Sequence, residues 1–197
     1  MNRTILTFSR WVAVSAVAVV VAVAPALASS YDKEGAPVIR TPLLLLNADF
    51  ENGLESWETS PKDAQAYAFA VDTEIFRTGK QSIRIRSLAG ERGGAIYQVL
   101  PAAALRGKTV ELSGWLKTDE VAIDGAVLTL RALGGARLLE YNVMRKAPVK
   151  GTTEWTRYSI ALKLSKNVSD LEVGVALNSK GTVWADDLEL NVVSHHR

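Results

Sequence analysis

The sequence has no cysteine, only two histidines, and beyond residue 28 no apolar run long enough to cross a membrane. Each absence excludes a class of answers. Without cysteine there is no disulfide framework and no thiolate to act as nucleophile or metal ligand, so the chain depends on a packed core. The two histidines, His195 and His196, stand beside Arg197 at the C-terminus, where chains fray, which leaves none for a rigid catalytic triad. No G-x-S-x-G elbow, H-E-x-x-H pair or phosphate-binding glycine loop occurs. A non-catalytic role is the expectation, with a paired-carboxylate glycosidase as the enzyme class left open.

The first 28 residues read as an export leader. Arg3 and Arg10 form a basic start, Trp11 to Ala24 an apolar core, and Pro25-Ala26-Leu27-Ala28 ends in an A-x-A pattern. Cleavage after Ala28 and a periplasmic or secreted location are expected, and a retained N-terminal anchor is the alternative. Setting Arg3 and Arg10 aside leaves 21 basic residues against 21 acidic ones. That balance gives no electrostatic reason for a nucleic acid or an anionic membrane as partner. Ser29 to Pro42 is polar with two prolines and reads as a flexible tether, residues 43–193 as one domain, and residues 194–197 as a disordered tail.

From Leu43 onward the chain consists of short alternating segments separated by turn residues, which argues for an all-β sandwich. In Thr109 to Lys117, Val110, Leu112 and Leu116 share one face, and Ser113, Trp115 and Lys117 the other. SIRIRS turns Ile83 and Ile85 inward, and LEVGVAL does the same with Leu171, Val173, Val175 and Leu177. Further strands are expected at 65–72, 95–100, 126–133 and 137–144, a tight hairpin at Leu133-Gly134-Gly135-Ala136, and a helical turn within Pro101 to Arg106.

Two adjacent acids, Asp186 and Asp187, interrupt the last apolar run, Gly181 to Val193. A carboxylate near the interior needs a partner, because desolvating an unpaired charge costs several kcal/mol or more. Asn47, Asp49, Glu51 and Asn52 cluster at the other end of the mature chain and are the expected counterpart.

The ordered segments NADFENGLESW, RTGKQSIRIRS, GAIYQVLP, LRGKTVELSGWLKTD, PVKGTTEWTRYSIALKL and GTVWADDLELNVV, spanning Leu43 to Val193, resemble the galactose-binding-like jelly rolls. That superfamily includes carbohydrate-binding modules of bacterial glycoside hydrolases and uncharacterised exported bacterial domains. The resemblance implies a two-sheet antiparallel jelly-roll sandwich with a non-catalytic habit, and by itself it does not imply a sugar. It further implies a structural calcium ion, with Glu51 and Asp186 as side-chain ligands and main-chain oxygens from around Asp49 and from the Thr78 to Lys80 turn. Asp186 shares alternation with Leu188 and Leu190, which favours it over Asp187 as the inward acid. A metal-free hydrogen-bonded cluster with Lys80 or Arg77 as counter-ion is the alternative.

For ligand contact the candidate platform is Trp115, out of phase with its apolar neighbours and suited to the C–H face of a pyranose. Burial under a loop is its other reading. Arg131, Tyr141, Arg84, Arg86 and Gln98 are the candidate hydrogen-bonding residues around it. The expected function is recognition of a polysaccharide or cell-envelope glycan through the outer face of one sheet. A protein-interaction or envelope-structural domain without sugar affinity, having no membrane contact once the leader is cleaved, is the alternative.

Overall fold

The structure is a computed structural model and describes residues 30–31, 37–60, 66–89 and 93–195; the leader and residues 196–197 lie outside the described residues. Among the described residues eleven strands follow one another: β1 (Ser30–Tyr31), β2 (Pro37–Leu43), β3 (Glu58–Ser60), β4 (Tyr67–Asp72), β5 (Ser82–Ser87), β6 (Gly94–Pro101), β7 (Thr109–Gly134), β8 (Arg137–Asn142), β9 (Val149–Lys163), β10 (Asp170–Leu177) and β11 (Thr182–His195). The expected helical turn is a single 3-10 turn at Ala103–Leu105. The chain is an antiparallel jelly-roll sandwich, the sandwich that its alternation predicts and the jelly roll that the resemblance implies.

Strand β7 organises it. The two alternating runs expected as separate strands, 109–117 and 126–133, are halves of one strand that passes from one sheet to the other. Its first half pairs with β9 and β11, and β11 pairs onward with β5, which pairs with β4. Its second half pairs with β8 and β10, and β10 pairs onward with β6 and β3. The bend between the halves sits at Glu120 and Gly125, both at positive φ. At Gly125 no side chain fits, since a Cβ would stand 2.4 Å from the Pro148 ring. The expected hairpin is present, with Gly134 paired to Arg137 and Gly135 at φ 61°.

The inward residues are those that alternation picks out. Ile83, Ile85, Leu112, Leu116 and Val183 of the first sheet meet Ile96, Leu128, Leu130, Leu171, Val173, Val175 and Leu177 of the second, all fully buried. Each such side chain contributes roughly 1.5–3 kcal/mol relative to exposure.

Two boundaries differ from expectation. Residues 37–42 belong to β2, which pairs with the second half of β11, so this part of the presumed tether is sheet. Pairing is compatible with its prolines because Pro37 lies beyond the β11 ladder and, among the described residues, Pro42 has a strand on one side only, and Arg40 anchors β2 through two bonds to the Glu111 carboxylate, at 2.6 and 3.2 Å. At the other end Ser194 and His195 continue β11 opposite Ile39 and Val38 rather than forming a loose tail.

Candidate functional site

The outer face of the second sheet carries a groove of about 1030 Å³. Register lays its floor out in cross-strand rows. One row reads Ser60, Ala95, Ala176 and Val127, the next Glu58, Tyr97, Gly174 and Thr129, and a third runs from Glu172 through Arg131 to Tyr141. Small residues in the middle of the sheet leave the floor low. Gly174 is obligatory there, because a Cβ would lie 2.1 Å from the Ile96 carbonyl oxygen and 3.0 Å from the Tyr97 backbone. Leu138, Tyr141, Val143 and Arg145 rise on one side and Tyr97 on the other.

The polar groups of the groove are held in place. Arg131 Nη1 donates to Glu172 Oε1 at 3.2 Å, and the Tyr97 hydroxyl donates to Glu58 Oε2 at 3.2 Å. Burial, then the bond to Glu58 and the negative charges of Glu58 and Glu172, push the Tyr97 phenol above its ordinary pKa, with Arg131 opposing. Tyr97 therefore stays protonated and presents an aromatic face beside a fixed cation and carboxylate. Tyr141 is half exposed and has the Arg145 guanidinium 5.7 Å from its ring centre.

The structure divides the candidate ligand residues between two faces. Arg131 and Tyr141 line the groove. Trp115 projects from the outer face of the first sheet, as its phase predicts, but the Arg77 guanidinium lies 3.7 Å from its ring centre and covers one face of the indole. Arg84 and Arg86 lie on β5 of that first sheet, and Arg84 is bonded to Asp72 at 3.0 Å.

Gln98 is a correction: it is buried inside the sandwich rather than outward. Its amide accepts from Leu46 N–H at 3.2 Å and donates to Leu46 C=O at 2.6 Å, acting as a substitute strand for that segment. Tyr97, which sequence reasoning missed, takes the outward position. The signal was available, since Tyr97 is out of phase with Ile96 in GAIYQVLP.

The acids behave as a clasp. Asp186 is fully buried and accepts from the amides of Arg77 at 2.9 Å, Thr78 at 3.2 Å and Asp187 at 2.8 Å. Glu51 accepts from the amides of Lys80 at 2.9 Å and Gln81 at 3.2 Å, so carboxylates from the two ends of the domain grip one turn. Gly79 lies between them at φ 66°, with Glu51 Oε1 2.2 Å from where a Cβ would stand. Asp187 binds the Arg77 side chain at 3.1 Å and the Thr78 hydroxyl at 2.8 Å, and Asp49 accepts from the Glu51 amide at 3.3 Å.

Alternation named the right acid for a different reason. The β11 ladder shifts between Asp186 and Glu189, with Asp187 at φ 47°, so Asp186 does not share a face with Leu190. It shares the outer face with Trp115, its partner in the ladder, and the Arg77–Thr78 turn covers it. Burial raises its pKa; the Arg77 and Thr78 amides oppose this, and Asp187 adds to it. Among the described residues neither Glu51 nor Asp186 pairs with a lysine or arginine side chain, and no group of three or more His, Asp or Glu is placed to hold a metal.

Residues 43–182 match the family model described as a carbohydrate binding domain. The chain belongs to that family. An uncharacterized HTH-type transcriptional regulator of Bacillus subtilis (strain 168), YbfP, is 29% identical to this carbohydrate binding domain over 140 residues, which are 69% of the chain and 47% of the regulator. The chain thus spans about half the length of that curated relative. Its fold is similar to the CBM22-1 xylan-binding domain from Paenibacillus barcinonensis Xyn10C, with TM-score 0.51, 16% identity, and coverage of 71% of this chain and 86% of that one. It is also similar to part of the enzymatically active domain of bacteriophage CBA120 tailspike protein 4, with TM-score 0.59, 12% identity, and coverage of 75% of this chain and 21% of that one.

Proposed function

We propose that this carbohydrate binding domain is an exported, non-catalytic module that lays a polysaccharide chain in the groove over β6, β10, β7 and β8. The observation that carries the reading is the pairing of two tyrosines, Tyr97 and Tyr141, on opposite sides of a floor of small residues, with the Arg131–Glu172 pair between them. Aromatic faces cover the apolar C–H faces of sugar rings, and the fixed polar pair meets their hydroxyls. Trp115 becomes a lesser candidate because Arg77 already occupies one side of its indole. Retention of the folded protein on a panel of immobilised polysaccharides tests the proposal. Free passage over every polymer overturns it, and release of reducing sugar from a retained polymer overturns the non-catalytic part.

We also propose that Glu51 and Asp186 hold calcium, completed by main-chain oxygens around Asp49 and the Thr78 to Lys80 turn. In its favour, Asp186 is fully buried and, among the described residues, no lysine or arginine side chain bonds to it; against it, the amides of Arg77, Thr78 and Asp187 already lie on both its oxygens and the Arg77 guanidinium stands on neighbouring Asp187. When bound, the ion supplies the missing counter-charge. Calcium at about 100 times its Kd is expected to raise the melting temperature by roughly 5–10 °C over protein in chelator. Identical melting curves in the two conditions leave hydrogen bonds alone as the clasp.

A further inference from the structure

We infer that the polymer taken by this groove is anionic, a glycan bearing carboxylate or sulfate groups; the inference rests on the groove being the binding site. The charges that line it are unbalanced. Arg131, Arg145, Lys146 and Lys150 face Asp124, Glu172 and Glu58, of which Glu172 is committed to Arg131 and Glu58 accepts from the Tyr97 hydroxyl. Arg145, Lys146 and Lys150 are exposed and form no ion pair among the described residues.

The contrast with the other sheet gives this its weight. There Arg77 pairs with Asp187, Arg84 with Asp72, Lys117 with Glu154 and Arg157 with Glu189. Arg86 on that face forms no ion pair among the described residues, so the contrast is one of density: three unmatched cations, Arg145, Lys146 and Lys150, stand on one short segment along one wall of the groove. Arg145 stands there beside the Tyr141 ring, so a sugar stacked on Tyr141 brings its ring substituents toward the guanidinium.

Uncharged partners for the hydroxyls of a neutral polymer, amides and hydroxyls, are few. Among the described lining residues those amount to Ser60, Thr129, Asn178 and the two tyrosine hydroxyls. Three unmatched cations on one short segment suit a chain with an acidic group at intervals. Because these cations are exposed, their attraction is screened over about 8 Å at physiological ionic strength, so binding must weaken with salt.

The experiment compares retention of the wild-type protein on polygalacturonate, dextran sulfate, xylan and a neutral β-glucan at low and high salt. Preference for a charged polymer by at least about tenfold at low salt, lost at high salt, is the expected result. Polygalacturonate and dextran sulfate separate carboxylate from sulfate. The triple substitution R145Q/K146Q/K150Q is expected to lower retention on the preferred acidic polymer about tenfold, to flatten its dependence on salt, and to lower any retention on neutral polymers by much less.

Equal retention on neutral and acidic polymers, or indifference to the triple substitution, overturns the anionic inference and leaves the groove standing. Full competition by single-stranded DNA overturns it as well, since charge alone would then be what is read. Retention on no polymer overturns the groove reading itself.

Discussion

Tyr97→Ala is expected to lower glycan affinity about 30-fold while the melting curve stays within a few degrees of wild type. A sugar ring on one face of the phenol covers roughly 80 Å² of apolar surface, worth about 2 kcal/mol at ~25 cal/mol per Å², and that energy converts to the stated ratio. Tyr97→Phe keeps the face and loses only the hydroxyl bonded to Glu58, so it is expected to lose far less, about 1 kcal/mol or under. Trp115→Ala is the control on the other sheet and is expected to bind as wild type. Isothermal titration with a soluble oligosaccharide of the retained polymer reads all three. Loss of binding in Trp115→Ala with full binding in Tyr97→Ala moves the site to the first sheet and refutes the groove.

The largest loss of stability is expected from Asp186→Ala. It leaves the amides of Arg77, Thr78 and Asp187 without their acceptor, and each stranded donor costs about 1–3 kcal/mol, less where water reaches it. A total near 4 kcal/mol is a large fraction of the ~5–15 kcal/mol that holds a domain folded, and corresponds to a drop of roughly 10–15 °C in melting temperature. Asp186→Asn does not rescue it fully. Amide protons lie against both carboxylate oxygens, so the Asn NH₂ must face at least one of them. Asp187→Ala removes a partly exposed pair and is expected to cost about 1 kcal/mol or less. Thermal melts in chelator order the three variants, and a costlier Asp187→Ala contradicts the clasp as described.

On the proposed reading, binding and stability reside on different sheets. The groove lies on the second, and the clasp closes over the outer face of the first, where Asp186 pairs in the ladder with Trp115. Strand phase alone points to a single ligand neighbourhood around Trp115. Phase along a strand tells which face a side chain takes, and it placed Trp115 outward correctly. It carries nothing about Arg77, 38 residues earlier, reaching across from a turn to cover the ring.

The same limit explains the remaining differences. Thr118 to Gly125 is polar enough to resemble a connection, yet it continues β7, because its backbone finds partners in β9 and β11 that local sequence does not announce. Gln98 looked like a surface residue by type. It is buried because the Leu46 backbone supplies both halves of its hydrogen bonding.

Glu51 and Asp186 were named by the family resemblance; the amino-acid order alone determined the β class, most strand positions, the inward set of aliphatics and the need of an acid in the last strand for a partner near the start of the domain. These are properties of period-two alternation and of the cost of burying a carboxylate, and each can be counted along a few residues. The groove was decided only when β6, β10, β7 and β8 were set side by side. Its floor is Ala95, Gly174, Ala176 and Val127, residues with no chemical signal, and they become the floor of one groove only through the register that lines them up between Tyr97 and Tyr141.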